Sequence, residues 1–243
     1  NFELLIKNPQ ALPALRNTVI IAAWKIVLHL LIPVAVSILL NEIRSTAFRR
    51  TTQTLIYLPH FLSWIILGGI LIDILSPNGG LLNRFLALFG VNPIFFLGDN
   101  HWFRFTLVFT DVWKEFGFGT IVYLAAITNI DPTQYEAATI DGANRFQRMV
   151  HVTLPNMRMI IVLMMVLSLG NVLNAGFDQV YNLYSKQVYS TGDIIDTYVY
   201  REGLVSLNYS YSTAVNVFKS VVALVMVLGS NFVAKKMGQE GIW

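Results

Sequence analysis

The side chains that could do chemistry in this sequence are few and lie in apolar surroundings. Asp111, Lys114 and Glu115 fall in one hydrophobic stretch at helical neighbour spacing, so Lys114 can pair with Asp111 one turn back. Asn171, Asn174 and Asp178 recur at intervals of three and four, which places them on one helix face, with Gln179 beside it. Lys25 and His29 share a face of another stretch, as do Asn216 and Lys219. A charge near a bilayer centre costs about 2.5–3.5 kcal/mol on insertion scales, so each of these groups needs a partner or a task. Amides and carboxylates are what sugar hydroxyls bind, and on that reading Lys114, Glu115, Asn171, Asn174 and Asp178 line a hydrated path. The same groups also join membrane helices, at roughly 0.6–2 kcal/mol per bond. If the cations met at one cavity, an anionic cargo such as a uronate oligosaccharide would fit. Asp111, Glu115 and Asp178 are equally available to balance them.

None of these sets is catalytic. The chain has no cysteine, which excludes a disulfide framework and a thiolate metal site. Its four histidines, His29, His60, His101 and His151, lack metal-ligand spacing. No glycine-rich phosphate loop with a lysine occurs, so the chain itself is not expected to bind ATP. No Ser/His/Asp set lies at matching depth for an intramembrane hydrolase. The net charge of +3 is not gathered into a basic run, so nucleic acid is not an expected partner. A carrier that moves protons through Asp111, Glu115 or Asp178 is the main rival. Such carriers often show paired repeats with broken helices, and the sequence shows no such pattern.

With 55% apolar and 13% charged residues among 243, the chain belongs to the membrane class. Five stretches approach the ~20 apolar residues that a crossing helix needs, at about 18–40, 54–75, 104–128, 158–180 and 214–234. Period-2 alternation is absent, so the expected fold class is all-α, a polytopic bundle forming one transmembrane domain over residues 1–243. Pro33, Pro59, Gly117 and Gly119 read as kinks. Residues 1–16 read as an outer connector, and one more helix is expected upstream.

Orientation follows from the basic residues. Arg44, Arg49, Arg50, Arg145, Arg148, Arg158, Lys235 and Lys236 fall in one alternate set of loops, which the positive-inside rule assigns to the cytoplasm. The opposite set holds Lys7, Arg16, Arg84, Lys186 and Arg201, with Arg104 at a helix end. On that outer side, Leu81–Gly90 reads as a short interfacial helix ended by glycine. The loop at 181–213 is rich in tyrosines, which suit sugar stacking, docking of a binding protein or an interfacial aromatic belt.

The longest inner loop, 129–156, carries the most specific pattern. Asp131 reads as an N-cap, with Pro132 at the first helical position and Gln134 three residues on. Gly142 can take the left-handed conformation that ends this helix. A second short helix is expected from Ala143 to about His151, with Pro155 stopping it or opening the next span. Glu136-Ala137-Ala138, Asp141-Gly142-Ala143 and Leu154-Pro155 at this separation resemble the EAA loop of bacterial ABC importer permeases. Val152 stands where isoleucine is usual, and no second proline follows Pro155 closely.

Asn17-Thr18, Leu40-Asn41-Glu42-Ile43-Arg44, Tyr57–Trp64, Trp113-Lys114-Glu115, Tyr123-Leu124-Ala125-Ala126 and Asp196–Arg201 are similar to the carbohydrate-uptake, LplB-like branch of those permeases. The resemblance covers nearly the whole chain. It implies a six-helix, type I (MetI-like) permease fold in the bacterial cell membrane. It also implies a second homologous permease, two ATPase subunits that carry ATP and Mg, an extracellular solute-binding protein and an oligosaccharide cargo. By the same resemblance Glu136, Ala137, Ala138, Asp141, Gly142, Ala143, Leu154 and Pro155 couple the bundle to an ATPase.

Overall fold

The computed structural model describes residues 8–170 and 173–236, and every regular element among them is helical. In chain order the longer elements are α1 (Ala11–Asn41), α2 (Thr46–Tyr57), α3 (Trp64–Leu75), α4 (Leu81–Ala87), α5 (Asn100–Thr128) and α6 (Pro132–Ile140). They continue with α7 (Arg145–Arg148), α8 (Leu154–Gly170), α9 (Phe177–Leu183), α10 (Tyr189–Gly192), α11 (Ile195–Tyr200) and α12 (Tyr209–Lys236). Among the described residues, α1, the run Arg145–Gly170 and Tyr209–Gly229 are long and apolar enough to cross a membrane. α1 begins at Ala11, inside the segment read as a connector, while residues 1–7 lie outside the described part. α5 covers the expected 104–128 as one helix and carries Asp111, Lys114 and Glu115 within it.

Two expected spans are interrupted. The stretch 54–75 is not one helix: Thr46–Phe61 and Trp64–Leu75 meet at a bend of 102°. Pro59 lies in a 3-10 turn at Leu58–Phe61, and Ser63 then caps a new helix by accepting from the Ile66 amide at 3.3 Å. The stretch 158–180 also breaks, because residues 173–176 are non-helical and Gly176, at φ +91°, enters the separate helix α9. Such a φ is cheap only for glycine.

The chain divides into two compact units. The first holds Asn1–Lys25, Leu62–Asp111 and Gly170–Met226; the second holds Ile26–Phe61, Val112–Leu169 and Val227–Trp243. One core cluster of the first unit is Ala11, Ala14, Ile195, Tyr198, Tyr211 and Val215, with the Tyr198 and Tyr211 hydroxyls 2.9 Å apart inside it. α3 packs on α9 where Gly68 leaves room for Asn182; a Cβ there would stand 3.2 Å from the Asn182 Cβ. Asn83 closes the segment after α3 by donating to the Ser76 and Ile94 carbonyls, both at 2.9 Å, and accepting from the Ile94 amide. The segment read as a tyrosine-rich loop is a compact run of short helices. Asn17 and Thr18 of α1 hold it: Asn17 donates to the Asp193 and Ser190 carbonyls, and Thr18 accepts from the Ile195 amide at 2.8 Å.

In the second unit the core is Ile38, Tyr123, Ile127 and Met157, joined by Val34, Met149, Leu154 and Ile161. Gly117 and Gly119 act there as contact points of α5 rather than as breaks. A side chain at Gly117 would collide with the Ile56 carbonyl, and one at Gly119 would press on Pro33.

Candidate functional site

The elbow between α5 and α8 is built by local rules. Asp131 accepts from the Thr133 amide at 2.9 Å with Pro132 behind it, and that amide holds its carboxyl below the ordinary range. Gln134 does not complete a capping box; its side-chain oxygen accepts from Asn156 at 2.8 Å. At the other end of α6 the Ala143 amide donates to the Ala138 carbonyl at 2.9 Å and the Gly142 amide to Thr139 at 3.1 Å. With Gly142 at φ +79° this is a Schellman turn. Asn144 and Gln147 then form a reciprocal capping box that starts α7.

α7 does not stop near His151 as a separate helix. It passes through a π-turn at Met149–Thr153, in which the Leu154 amide donates to the Met149 carbonyl, and continues as α8. Pro155 sits in the first turn of α8, where it cannot donate an amide; the widened turn absorbs the mismatch. Three side-chain bonds brace the elbow: Tyr135 with Thr153 at 3.0 Å, Asn156 with Gln134, and Arg148 donating to Thr139 at 2.9 Å. Glu42 reaches Arg145 at 3.8 Å, an exposed pair of little worth to stability.

What the elbow presents is an acidic and apolar surface. Glu136, Ala137, Asp141 and Gly142 are exposed, and Ala138 and Ala143 are half-buried. Ile140 is 86% exposed and Phe146 68% exposed. Neither of the last two was singled out in the sequence, although two large apolar side chains flanking a polar turn are a usable signal. Leu154 and Pro155 lie where the elbow returns into α8.

The polar residues assigned to the path fall in separate places. Lys114 and Glu115 lie in the second unit, Asn174 and Asp178 in the first, and Asn171 lies outside the described residues. Asn174 stands in the non-helical stretch before Gly176, and Asp178 is in the first turn of α9, so the expected shared helix face does not exist. Both are exposed. Lys114 pairs with Glu115 at 2.7 Å and donates to the His60 carbonyl at 2.9 Å. His60 closes this cluster through Glu115 at 2.6 Å and stacks on Phe118 at 4.0 Å. Sequence reasoning passed over His60, although a histidine after a mid-span proline needs a polar partner.

Asp111 meets Lys25 at 3.1 Å, and Lys219 meets Asp196, so both lysines are neutralised by carboxylates. An acidic cargo therefore does not rest on these two lysines as free cations. The outer tyrosines are partly used among themselves: Phe177 stacks on Tyr181, Tyr184 on Tyr189, and Tyr181 meets Tyr200 edge-on. Arg201 is bidentate to Asp193 and lies 4.6 Å over the Tyr189 ring. Burial alone would lower its pKa, but the Asp193 carboxylate outweighs that and raises it.

Comparison with known proteins gives this geometry a context. The profile of the family described as binding-protein-dependent transport system inner membrane component matches residues 30–238. Protein LplB of Bacillus subtilis (strain 168) is 43% identical over 242 residues, covering 100% of this chain and 76% of the relative. The polygalacturonan/rhamnogalacturonan transport system permease protein YteP of the same organism is 42% identical over 243 residues, with the same coverage. A chain in the crystal structure of a bacterial alginate ABC transporter in complex with an alginate pentasaccharide-bound periplasmic protein superposes with a TM-score of 0.95. It is 37% identical, covering 99% of this chain and 84% of that one. Broken helices, whose absence had counted against an ion-driven carrier, do occur here, so it is kinship and not helix continuity that decides the class. An all-helical chain that matches this profile over most of its length, and these permeases from end to end, belongs to the binding-protein-dependent transport system inner membrane component family.

Proposed function

We propose that this chain is a membrane-spanning subunit of an ATP-driven importer of oligosaccharides delivered by an extracellular binding protein. A second homologous permease and two ATPase subunits complete the assembly, and ATP and Mg reside on the ATPases. The observation that carries the coupling is the elbow: a rigidly braced helix pair whose glycine turn exposes Glu136, Asp141, Ile140 and Phe146 rather than burying them. Ala137, Ala138 and Ala143 keep that surface low, so a partner can approach the backbone, and Leu154 and Pro155 tie it to α8. Closure of the ATPase pair would then bias two arrangements of the bundle, each with its own affinity for the binding protein.

For the cargo, support comes from the names of similar proteins. A polygalacturonan/rhamnogalacturonan permease and an alginate transporter both concern acidic polysaccharides, and an arabinooligosaccharide permease is 28% identical. The cargo inferred is an oligosaccharide, with the uronate class first in order. Lys114, Glu115, Asn171, Asn174 and Asp178 remain the proposed contacts along its path.

The deciding experiment reconstitutes the chain with its partners and measures sugar-stimulated ATP hydrolysis. Gly142→Asn, which tolerates the φ of +79° at this turn, should keep most of the stimulation. Gly142→Trp, with open space around the added Cβ but a bulk that blocks a docked partner, should insert normally and yet abolish it. Undiminished stimulation in that variant removes the elbow from the mechanism. Uptake that follows an ion gradient and ignores ATP removes the whole reading.

A further inference from the structure

The interruption between α8 and α9 is held by a buried lysine from another element. Lys25 of α1 is 6% exposed, and its Nζ donates to the Ala175 carbonyl at 2.7 Å and to Gln179 Oε1 at 2.6 Å. Asp111 Oδ1 stands 3.1 Å away. An ammonium has three N–H donors, and the Ala175 carbonyl, Gln179 Oε1 and Asp111 Oδ1 are among the acceptors around this one. Gln179, fully buried, passes the connection on: its Nε2 donates to the Leu107 carbonyl at 2.7 Å and to Thr110 at 2.8 Å. Gly176 completes the fit. Its φ of +91° suits glycine, and a Cβ there would stand 2.9 Å from the Lys25 Nζ.

The physical need is plain. Where a helix is interrupted, carbonyls lose their in-ladder donors, and inside a membrane no bulk water replaces them. A lysine can serve such a carbonyl only if its charge is also balanced, which Asp111 does. The second unit contains the same device independently: Lys114 donates to the His60 carbonyl at the α2–α3 corner and pairs with Glu115. Two helix interruptions thus each carry a lysine on a backbone carbonyl, with a carboxylate of α5 beside it.

We infer that Lys25 is a clamp on the interrupted helix, a positioning residue that sets the course of residues 173–176 and so the places of Asn174 and Asp178. The claim rests on the proposed function only in that Asn174 and Asp178 are assigned to the path; the clamp itself is a statement about backbone position.

The chain has no cysteine, so single cysteines report position cleanly. In membrane vesicles holding the full transporter, Asn174→Cys and Asp178→Cys are labelled with a membrane-impermeant maleimide, read on this chain alone. Adding Lys25→Met should change the labelling rate by about tenfold or more, the scale set by losing a charge-assisted hydrogen bond. The informative variant is Lys25→Met with Asp111→Leu, which removes both charges. A clamp predicts that labelling stays changed in the double variant. A pair that serves only mutual neutralisation predicts rates within about twofold of the parent at both cysteines, and that result overturns the inference. Gly176→Ala keeps Lys25 intact and must also shift labelling; unchanged rates there overturn the inference even if the lysine variants fail to assemble. Uptake in the same vesicles is scored separately, so loss of ATP dependence in the parent would sink the transport reading and leave the labelling result standing.

Discussion

At Gly117 a methyl group would land on the carbonyl oxygen of Ile56, so α5 and α2 approach each other there at backbone distance. Backbone cannot turn away as a side chain can. Gly117→Ala should therefore destabilise the second unit by about 1–3 kcal/mol or more, the range for overpacked sites. Thermal unfolding of the detergent-extracted chain, compared with Gly229→Ala, where no atom lies near the added Cβ, checks this. Asp131 makes a different residue-scale point. Its carboxyl is depressed by the Thr133 amide, so the cap contributes fully above the ordinary carboxylate range and is lost as pH falls through the depressed value. Hydrogen exchange at Thr133 should accelerate, relative to its intrinsic rate, across that acidic window in the parent. Asp131→Asn, which caps without titrating, should show no such step. A step in both variants would mean that some other group titrates there.

Among the elements, the elbow behaves as one braced piece because its two helices exchange side-chain bonds across the Gly142 turn. Tyr135 to Thr153 and Gln134 to Asn156 join α6 to the π-turn and to α8, so a push on α6 is delivered to the start of a long helix. Tyr135→Phe combined with Asn156→Ala should remove about 1–3 kcal/mol of local bracing and lower the coupling of ATP hydrolysis to uptake, while leaving hydrolysis itself. The ratio of ATP consumed to sugar moved is the measurement; an unchanged ratio means that the bracing is incidental. The start, glycine stop and exposed acids of this element are readable from Asp131-Pro132 and Asp141-Gly142, because caps and left-handed glycines are local chemistry. The π-turn is not readable. Pro155 announces a disturbance, but whether a helix stops or merely widens depends on Met149, Leu154 and Met157 packing with Ile38 and Tyr123.

On the scale of the whole molecule, the basic residues sort by unit. Arg44, Arg49, Arg50, Arg145, Arg148 and Arg158 all fall in the second unit, and Arg16, Arg84, Arg104, Lys186 and Arg201 in the first. This is the same partition that the positive-inside rule draws from the loops. It yields a topology test. A cysteine at Ile140, 86% exposed, should react with an impermeant reagent only when the inner face is open and no ATPase covers it. One at Phe89, 71% exposed, should react in intact cells. Labelling of both from the same side would invalidate the assigned orientation.

The apolar stretches, the charge asymmetry and the elbow motif were determined by the sequence alone, because each depends on composition or on neighbours a few residues apart. The partners of the buried ions were decided only in three dimensions. Lys25 lies far along the chain from Asp111 and Gln179, and Lys114 from His60, so no helical periodicity links them. The broken helices belong to the same class. Asn171, Asn174 and Asp178 have the spacing of a continuous face, yet the chain is non-helical at residues 173–176, where a buried ammonium can satisfy the released Ala175 carbonyl. Local pattern announces a helix; whether it may be interrupted depends on a donor that only the tertiary structure supplies.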